Sequence, residues 1–203
     1  MKNRIYMWIL TIVFTVGLNN LLLQAQVEER FSIKKISCKN PFGGYKLIIN
    51  DRGGNLIISS DSDGYALNSF VTLNDSDKLN IVFLLLSFED DTSKCCLMVS
   101  RYDYNGLDGD YTAPKSQQYN VQIDALFMIN RLCFPSLFNV FSNKPVLVNR
   151  KTGIEINENY KELKLVYKQY RKWYLKCKRT GKINQNFPFN DGEFKWLGGR
   201  SPN

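Results

Sequence analysis

The stretch from Glu158 to Arg179 restricts the fold more than any other, because Tyr160, Leu163, Tyr167, Tyr170, Tyr174 and Cys177 recur at steps of 3, 4, 3, 4 and 3. Such steps put all six on one side of an α-helix, and Val166 and Trp173 widen the stripe. A helix with one apolar side needs a second apolar surface to cover it, so the chain must build a layered core. Asn159 followed by Glu162 has the form of a capping box, and Gly181 stands where a left-handed residue stops a helix. The opposite side is basic: Lys161, Lys164, Lys168, Arg171, Lys172, Lys176, Lys178 and Arg179.

The surface to be covered lies upstream, where residues 31–101 read as sheet. Apolar residues at 31, 33, 36 and 38 alternate with one slip, which predicts a strand with a bulge. Tyr45 to Ile49 and Leu56 to Ile58 flank the turn-forming run Asn50-Asp51-Arg52-Gly53-Gly54-Asn55, a hairpin pattern. Asp61 to Gly64 turns the chain into a strand over 65–73, and Asn74 to Asp77 turns it again into one over 79–88. Ile81 to Leu86 has no polar member, which predicts a central strand covered on both faces, with 95–99 as its antiparallel partner. Turns this short favour an antiparallel meander. Residues 123–133 predict a second, apolar helix ended by Pro135, and residues 145–156 a small hairpin. Residues 184–203 read as an extended tail whose Pro188, Phe189, Phe194, Trp196 and Leu197 pack over the helices.

Residues 1–25 read as a signal peptide: Lys2 and Arg4 precede an uncharged run from Ile5 to Leu18, and Ala25 supplies a small residue for cleavage. The run is 14 residues, shorter than the ~20 that span a bilayer, although Leu21 to Leu23 would lengthen an uncleaved anchor. The expected mature chain is one α+β domain over 26–203, sheet-rich at 31–101 and helix-rich at 118–182, periplasmic or secreted, with no membrane span. Losing Lys2 and Arg4 leaves 25 basic against 19 acidic residues, a net of +6. An exported basic protein meets acidic proteins and envelope polymers before nucleic acid, so no nucleic acid is expected as a partner.

That excess is unevenly distributed. Residues 144–182 carry 12 Lys/Arg and 3 Glu, a net of +9, whereas residues 51–124 carry 5 Lys/Arg and 12 Asp/Glu, a net of −7. A solvated face needs no such segregation, whereas gripping an acidic protein or polymer surface uses it. Lys164, Lys168, Arg171 and Lys172 are the candidate partner-binding residues.

Catalytic chemistry has fewer candidates, because the chain has no histidine. Imidazole-activated nucleophiles, His-ligated zinc and His-ligated haem are thereby excluded. A carboxylate-dependent hydrolase acting on envelope carbohydrate is the alternative, with Glu89, Asp90, Asp91, Asp103 and Glu155 available as acids. Cys38, Cys95, Cys96, Cys133 and Cys177 have no zinc or redox spacing. They are expected to be mostly buried free thiols; any bridge would join Cys38 to Cys95 or Cys96. No cofactor is indicated. The one metal candidate is calcium at Asp103, Asn105, Asp108 and Asp110, a loop rich in the oxygens calcium takes but lacking the complete calcium-loop pattern.

Gln122 to Arg131, Pro145 to Val148, Tyr160-x-x-Leu163 with Tyr170-x-x-Trp173, and Trp196-Leu-Gly-Gly199 together resemble exported proteins of Bacteroidetes-type bacteria. The Leu-Leu-Gln-Ala-Gln run at 22–26 is similar to their export site. The resemblance covers roughly the last 80 residues and implies export without implying an activity. The sequence therefore reads as an α+β protein: an N-terminal antiparallel meander packed with a C-terminal helical region that ends in the amphipathic basic helix. Its leading function is non-enzymatic binding, in the manner of an immunity protein or inhibitor. If calcium is held at 103–110, the melting temperature falls with chelator and rises with added calcium; a scan unchanged by both removes the site.

Overall fold

The computed structural model describes residues 30–39, 42–61, 64–67, 72–99, 113–137, 144–189 and 192–199. The segments read as signal peptide and as calcium loop lie outside them. The architecture is α+β. Strands β1 (Phe31–Ser37), β2 (Tyr45–Asp51), β3 (Leu56–Asp61) and β4 (Gly64–Leu67) form the expected antiparallel meander. β1 covers β2 along its whole length, from Phe31 opposite Asp51 to Ser37 opposite Tyr45. The other edge of β2 is therefore shared: β3 takes Ile48 to Asn50, and β5 (Lys94–Met98) reaches Tyr45 in a parallel pairing. β6 (Gln118–Asn120) closes that side antiparallel to β5. The expected bulge is not in β1; the register shift falls at Ile49/Asn50 between β2 and β3, and the slip in β1 leaves Ile36 exposed.

The strand expected over 79–88 is a helix. α1 spans Asp75–Leu85, and a 3-10 turn continues it over Leu86–Asp90. The reason is local: the Asn74 side chain accepts from the Asp77 N–H at 2.8 Å, and Asp75 and Asp77 stand in the first turn where the helix dipole favours acids. Arg30, at the foot of β1, pairs with the buried Asp77. An apolar run without alternation does not distinguish a buried strand from a buried helix, and ten residues already exceeds a usual strand. With no strand at 79–88, β5 takes β6 and β2 as its neighbours instead.

α2 (Val121–Cys133) is the centre of the molecule. Every residue in it is buried except Arg131, the polar Gln122, Asp124 and Asn130 included. It packs against β2, β3, β4 and β5, against α1, and against the turn after α1. α3 (Tyr160–Thr180) is the basic helix; its Asn159 cap accepts from the Glu162 N–H, and Gly181 ends it at φ 66°. Its buried residues are Leu163, Val166, Tyr167, Tyr170, Trp173, Tyr174 and Cys177, the stripe read from the sequence apart from the exposed Tyr160. The small hairpin turns at Gly153 as expected, with Val148 bridging Glu155, but its first strand, β7 (Leu147–Asn149), pairs mainly with β8 (Phe194–Trp196). That pairing delivers the tail to the core, where the Trp196 ring meets Phe127 of α2 edge-on at 5.2 Å. One cluster of buried side chains runs from Phe31 to Leu197.

The thiol expectation is corrected for one pair: Cys38 and Cys96 are bonded, with Cα atoms 6.1 Å apart, within the usual range of about 4.4–6.8 Å. Cys95, Cys133 and Cys177 are free and buried. The bridge joins Cys38 to one of the two partners the sequence named for it, and what brings the pair together is the parallel contact of β2 with β5. Gly44 makes that contact: at φ +94° it has no Cβ, and one built there would lie 2.8 Å from the Lys94 carbonyl oxygen and 2.9 Å from the Cys96 nitrogen. Gly44→Ala should therefore cost about 2–4 kcal/mol in a urea titration, from left-handed strain and overpacking together. Loss of the bridge in a Cys38→Ser/Cys96→Ser variant frees a 58-residue separation in the unfolded chain. Chain entropy puts that at up to about 4 kcal/mol in the same assay.

Candidate functional site

The candidate site is the outer face of α3, and buried hydrogen bonds fix which way it points. The Tyr167 hydroxyl donates to the Gln122 carbonyl at 2.8 Å, and the Tyr170 hydroxyl donates to Asn130 Oδ1 at 2.6 Å while accepting from Trp196 Nε1 at 3.3 Å. Trp173 Nε1 donates to the Asn184 carbonyl at 3.0 Å. Burial drives both tyrosine hydroxyls well above their ordinary pKa, so they stay protonated donors. Three anchors along the helix prevent it from rolling. All eight basic residues of the other face are exposed, from Lys161 to Arg179. Leu165 and Leu175 are exposed among them.

The four residues singled out in the sequence are not equivalent. Arg171 is held within the molecule, its Nε and Nη2 donating to Glu89 Oε2 at 3.0 and 2.7 Å and Nη2 also to the Leu86 carbonyl at 2.9 Å. Lys164 stands 4.6 Å from the centre of the Tyr160 ring. A hydrogen bond with the Tyr160 hydroxyl, then Asp90 and Glu89 nearby, raises its pKa. Tyr160 in turn donates to Asp90 Oδ1 at 2.8 Å. The turn at 86–90 thus neutralises one flank of the helix. Lys168 and Lys172 are exposed, and neither forms an ion pair with a described residue.

At 100° per residue, Arg171 and Lys176 lie about 140° apart around the helix. The flank that carries Lys176 faces a different neighbour, the loop after the helix, and between them is a cavity of about 250 Å³. Gln169, Lys172, Trp173 and Lys176 form its helical wall, at the spacing of one helix face; Asn184, Asn186, Phe187 and Pro188 form the other. Two lysines line it and no acidic residue does. Gln169 Oε1 is shielded from water and accepts no hydrogen bond. Neither cavity nor loop contact was visible in the sequence; the only signal was the tail's cluster of aromatic residues.

The hydrolase candidates are engaged elsewhere. A second cavity, of about 590 Å³, lies between β6 and residues 154–158 and is lined by Glu155 and Glu158 together with Lys94 and Lys115. Glu155 accepts from the Lys115 and Ser116 N–H groups, each at 2.7 Å, and from the Ser116 hydroxyl at 2.6 Å, contacts that tie both of its oxygens to the segment before β6. Glu89 and Asp90 serve Arg171 and Tyr160, and Asp103 lies outside the described residues. Burial acts to raise the Asp91 carboxyl, but hydrogen bonds from Lys35 and Ser93 outweigh it and hold the pKa below the usual range. Hydrogen bonds from Asn55 likewise lower Asp51. Both shifts run opposite to what a general acid needs. Burial, with Asp124 adding to it, pushes the Cys95 thiol up to about 12, so it is no nucleophile at neutral pH. Among the described residues no group of three or more potential ligands could hold a metal ion.

No protein-family model matches the chain, and neither a curated protein nor a solved structure was found to match it.

Asp91 also gives the fold a pH response. Its depressed folded-state pKa contributes stability above the unfolded value of about 3.9, and that contribution disappears as pH falls through the folded value. Asp91→Asn should lower the melting temperature at pH 7 and flatten its fall below about pH 4; a variant curve parallel to the wild type would show that Lys35 and Ser93 contribute nothing through this carboxylate.

Proposed function

We propose that this is an exported, non-enzymatic binding protein that holds an acidic protein or envelope polymer surface against the outer face of α3, as an immunity protein or inhibitor would. The observation that carries the reading is the fixed roll of α3: buried tyrosines inside the core hold a row of cations in one direction. Fixing the roll sets the direction in which these cations face, so a partner meets them together on one surface. The Cys38–Cys96 bridge supports export, since disulfides persist in oxidising compartments, and so does the signal-like start of the chain. No helix among the described residues is long and apolar enough to cross a membrane. Of the acids a hydrolase would use, the described ones, Glu89, Asp90, Asp91 and Glu155, are tied into structural contacts, which favours binding over glycoside cleavage.

Reversing Lys161, Lys168 and Lys172 to Glu should weaken retention on an immobilised carboxylated polymer by tenfold or more, and raising salt should weaken the wild type in the same way. Arg171 is left in place because its removal would strand Glu89. Reversing Lys34, Lys39 and Lys94 instead gives the same net charge away from the helix. Equal losses in the two variants would mean that net charge, and not this face, does the binding.

A further inference from the structure

β1 stands at an edge of the sheet and pairs, among the described residues, with β2 alone. Its outward side follows from the register. Cys38 N–H donates to the Gly44 carbonyl at 3.0 Å, so 38/44 is a hydrogen-bonded pair, and such pairs recur at every second residue. Residues 32, 34 and 36 therefore direct their backbone groups to β2, while the N–H and C=O of Ile33, Lys35 and Ser37 point away from it. Those outward backbone groups have no partner among the described residues. Sheets commonly protect such an edge with a short strand, a proline, a bulge or a cover. β1 has 7 residues, no proline and an unshifted register along β2, and Ser32 and residues 34–37 are exposed. Both of its ends are anchored: Arg30 pairs with Asp77 of α1, and Cys38 is bonded to Cys96. The edge is a fixed template.

Its charge is positive. Residues 30–46 include Arg30, Lys34, Lys35, Lys39 and Lys46 and no acid. Lys35 is engaged within the molecule, on Asp91 at 2.6 Å and over the Tyr45 ring. Lys34 and Lys39 are exposed, and neither forms an ion pair with a described residue. On the face that carries Lys34, the next residue is the exposed Ile36. These features select among occupants. A second copy is disfavoured, because a twofold pairing centred on Lys34 or Lys35 sets that lysine opposite itself. An acidic polysaccharide would meet Lys34, but it has no series of N–H and C=O groups recurring at the about 6.8 Å between alternate strand residues. An extended acidic polypeptide brings both the carboxylates and the series. We propose that β1 receives an extended acidic segment of a partner polypeptide as an added strand, bonded to the backbone of Ile33, Lys35 and Ser37, with a carboxylate beside Lys34 and an apolar side chain beside Ile36. Because this edge reads a peptide backbone, it is a second surface, independent of the α3 face, and a non-peptide polymer does not report on it.

The test is amide hydrogen exchange, followed by NMR, on the mature chain with a short peptide in which threonine alternates with glutamate and valine. Without peptide, the amides of Ile33, Lys35 and Ser37 should exchange fast and those of Lys34 and Ile36 slowly; saturating peptide should slow the first three by about tenfold or more. Lys34→Glu should weaken the peptide about tenfold or more. Lys151→Glu, the same charge change at the exposed turn of the small hairpin, should alter it by less than about twofold. The same peptide with lysine in place of glutamate should not bind, and neither should one N-methylated throughout, which keeps the charge and loses the donors. A peptide that binds while the three amides exchange as before is held elsewhere, on α3 for instance, and overturns the proposal. Equal binding of the N-methylated peptide overturns it too, as does no binding at all. Slow exchange of the three amides without peptide, in a protein that sediments as a dimer, would give the edge to a second copy.

Discussion

Burial of α2 on every side is the constraint from which the rest follows. A helix that shows almost nothing to water needs cover all round, and the sheet and α1 provide only part of it. The remaining cover includes α3, which reaches α2 through specific polar contacts, and the β7–β8 pair, which reaches it through the Trp196 ring on Phe127. Gln122 and Asn130 are buried polar residues on α2, and the hydroxyls of Tyr167 and Tyr170 meet the Gln122 backbone carbonyl and the Asn130 side chain. Polar groups inside a core admit fewer geometries than apolar ones, so these bonds select one roll angle for α3. The direction of the basic face is thus a consequence of how the core is satisfied. Elsewhere α1 is tied to the same assembly at its N-terminus, where Asp77 pairs with Arg30, the residue before the first strand, and Asp75 accepts from the Ile183 N–H beyond α3.

α3 was legible in the sequence because three independent signals agreed: the 3-4 stripe, the Asn159/Glu162 box and Gly181. The first four strands were legible because each ends in residues that turn the chain, and alternation needs no long-range information. α1 was not. Asn, Asp and Ser serve tight turns and helix N-caps by the same side-chain bond to a backbone N–H, so Asn74 to Asp77 carried two meanings. A run such as Ile81 to Leu86 has no period from which to choose between them. The parallel contact of β5 with β2 was illegible for another reason: it is a single long-range pairing that depends on Gly44 lacking a side chain, and Gly43-Gly44 reads in one dimension only as a turn.

The same division runs through the site. That residues 161–179 present a cationic face is a matter of helical period and was readable. That Arg171 belongs to Glu89, 82 residues away, and that Lys176 borders a cavity closed by a returning loop, are products of packing. The opposed charges of residues 51–124 and 144–182 suggested two separate poles, yet Glu89 and Asp90 sit directly beside the basic helix. Part of the apparent dipole is consumed inside the molecule.

What remains of it is directional. Charges separated by more than about 8 Å are largely screened at physiological salt, so a partner senses the cations it touches and not the sum over the domain. On the Arg171 flank an approaching anion competes with Glu89 and Asp90, carboxylates already in place; on the Lys176 flank the lining holds two lysines and no acidic residue. A long polyanion laid along α3 would therefore be drawn off the helix axis toward the Asn184–Pro188 loop, and the internal ion pairs of one flank act as the element that orients it.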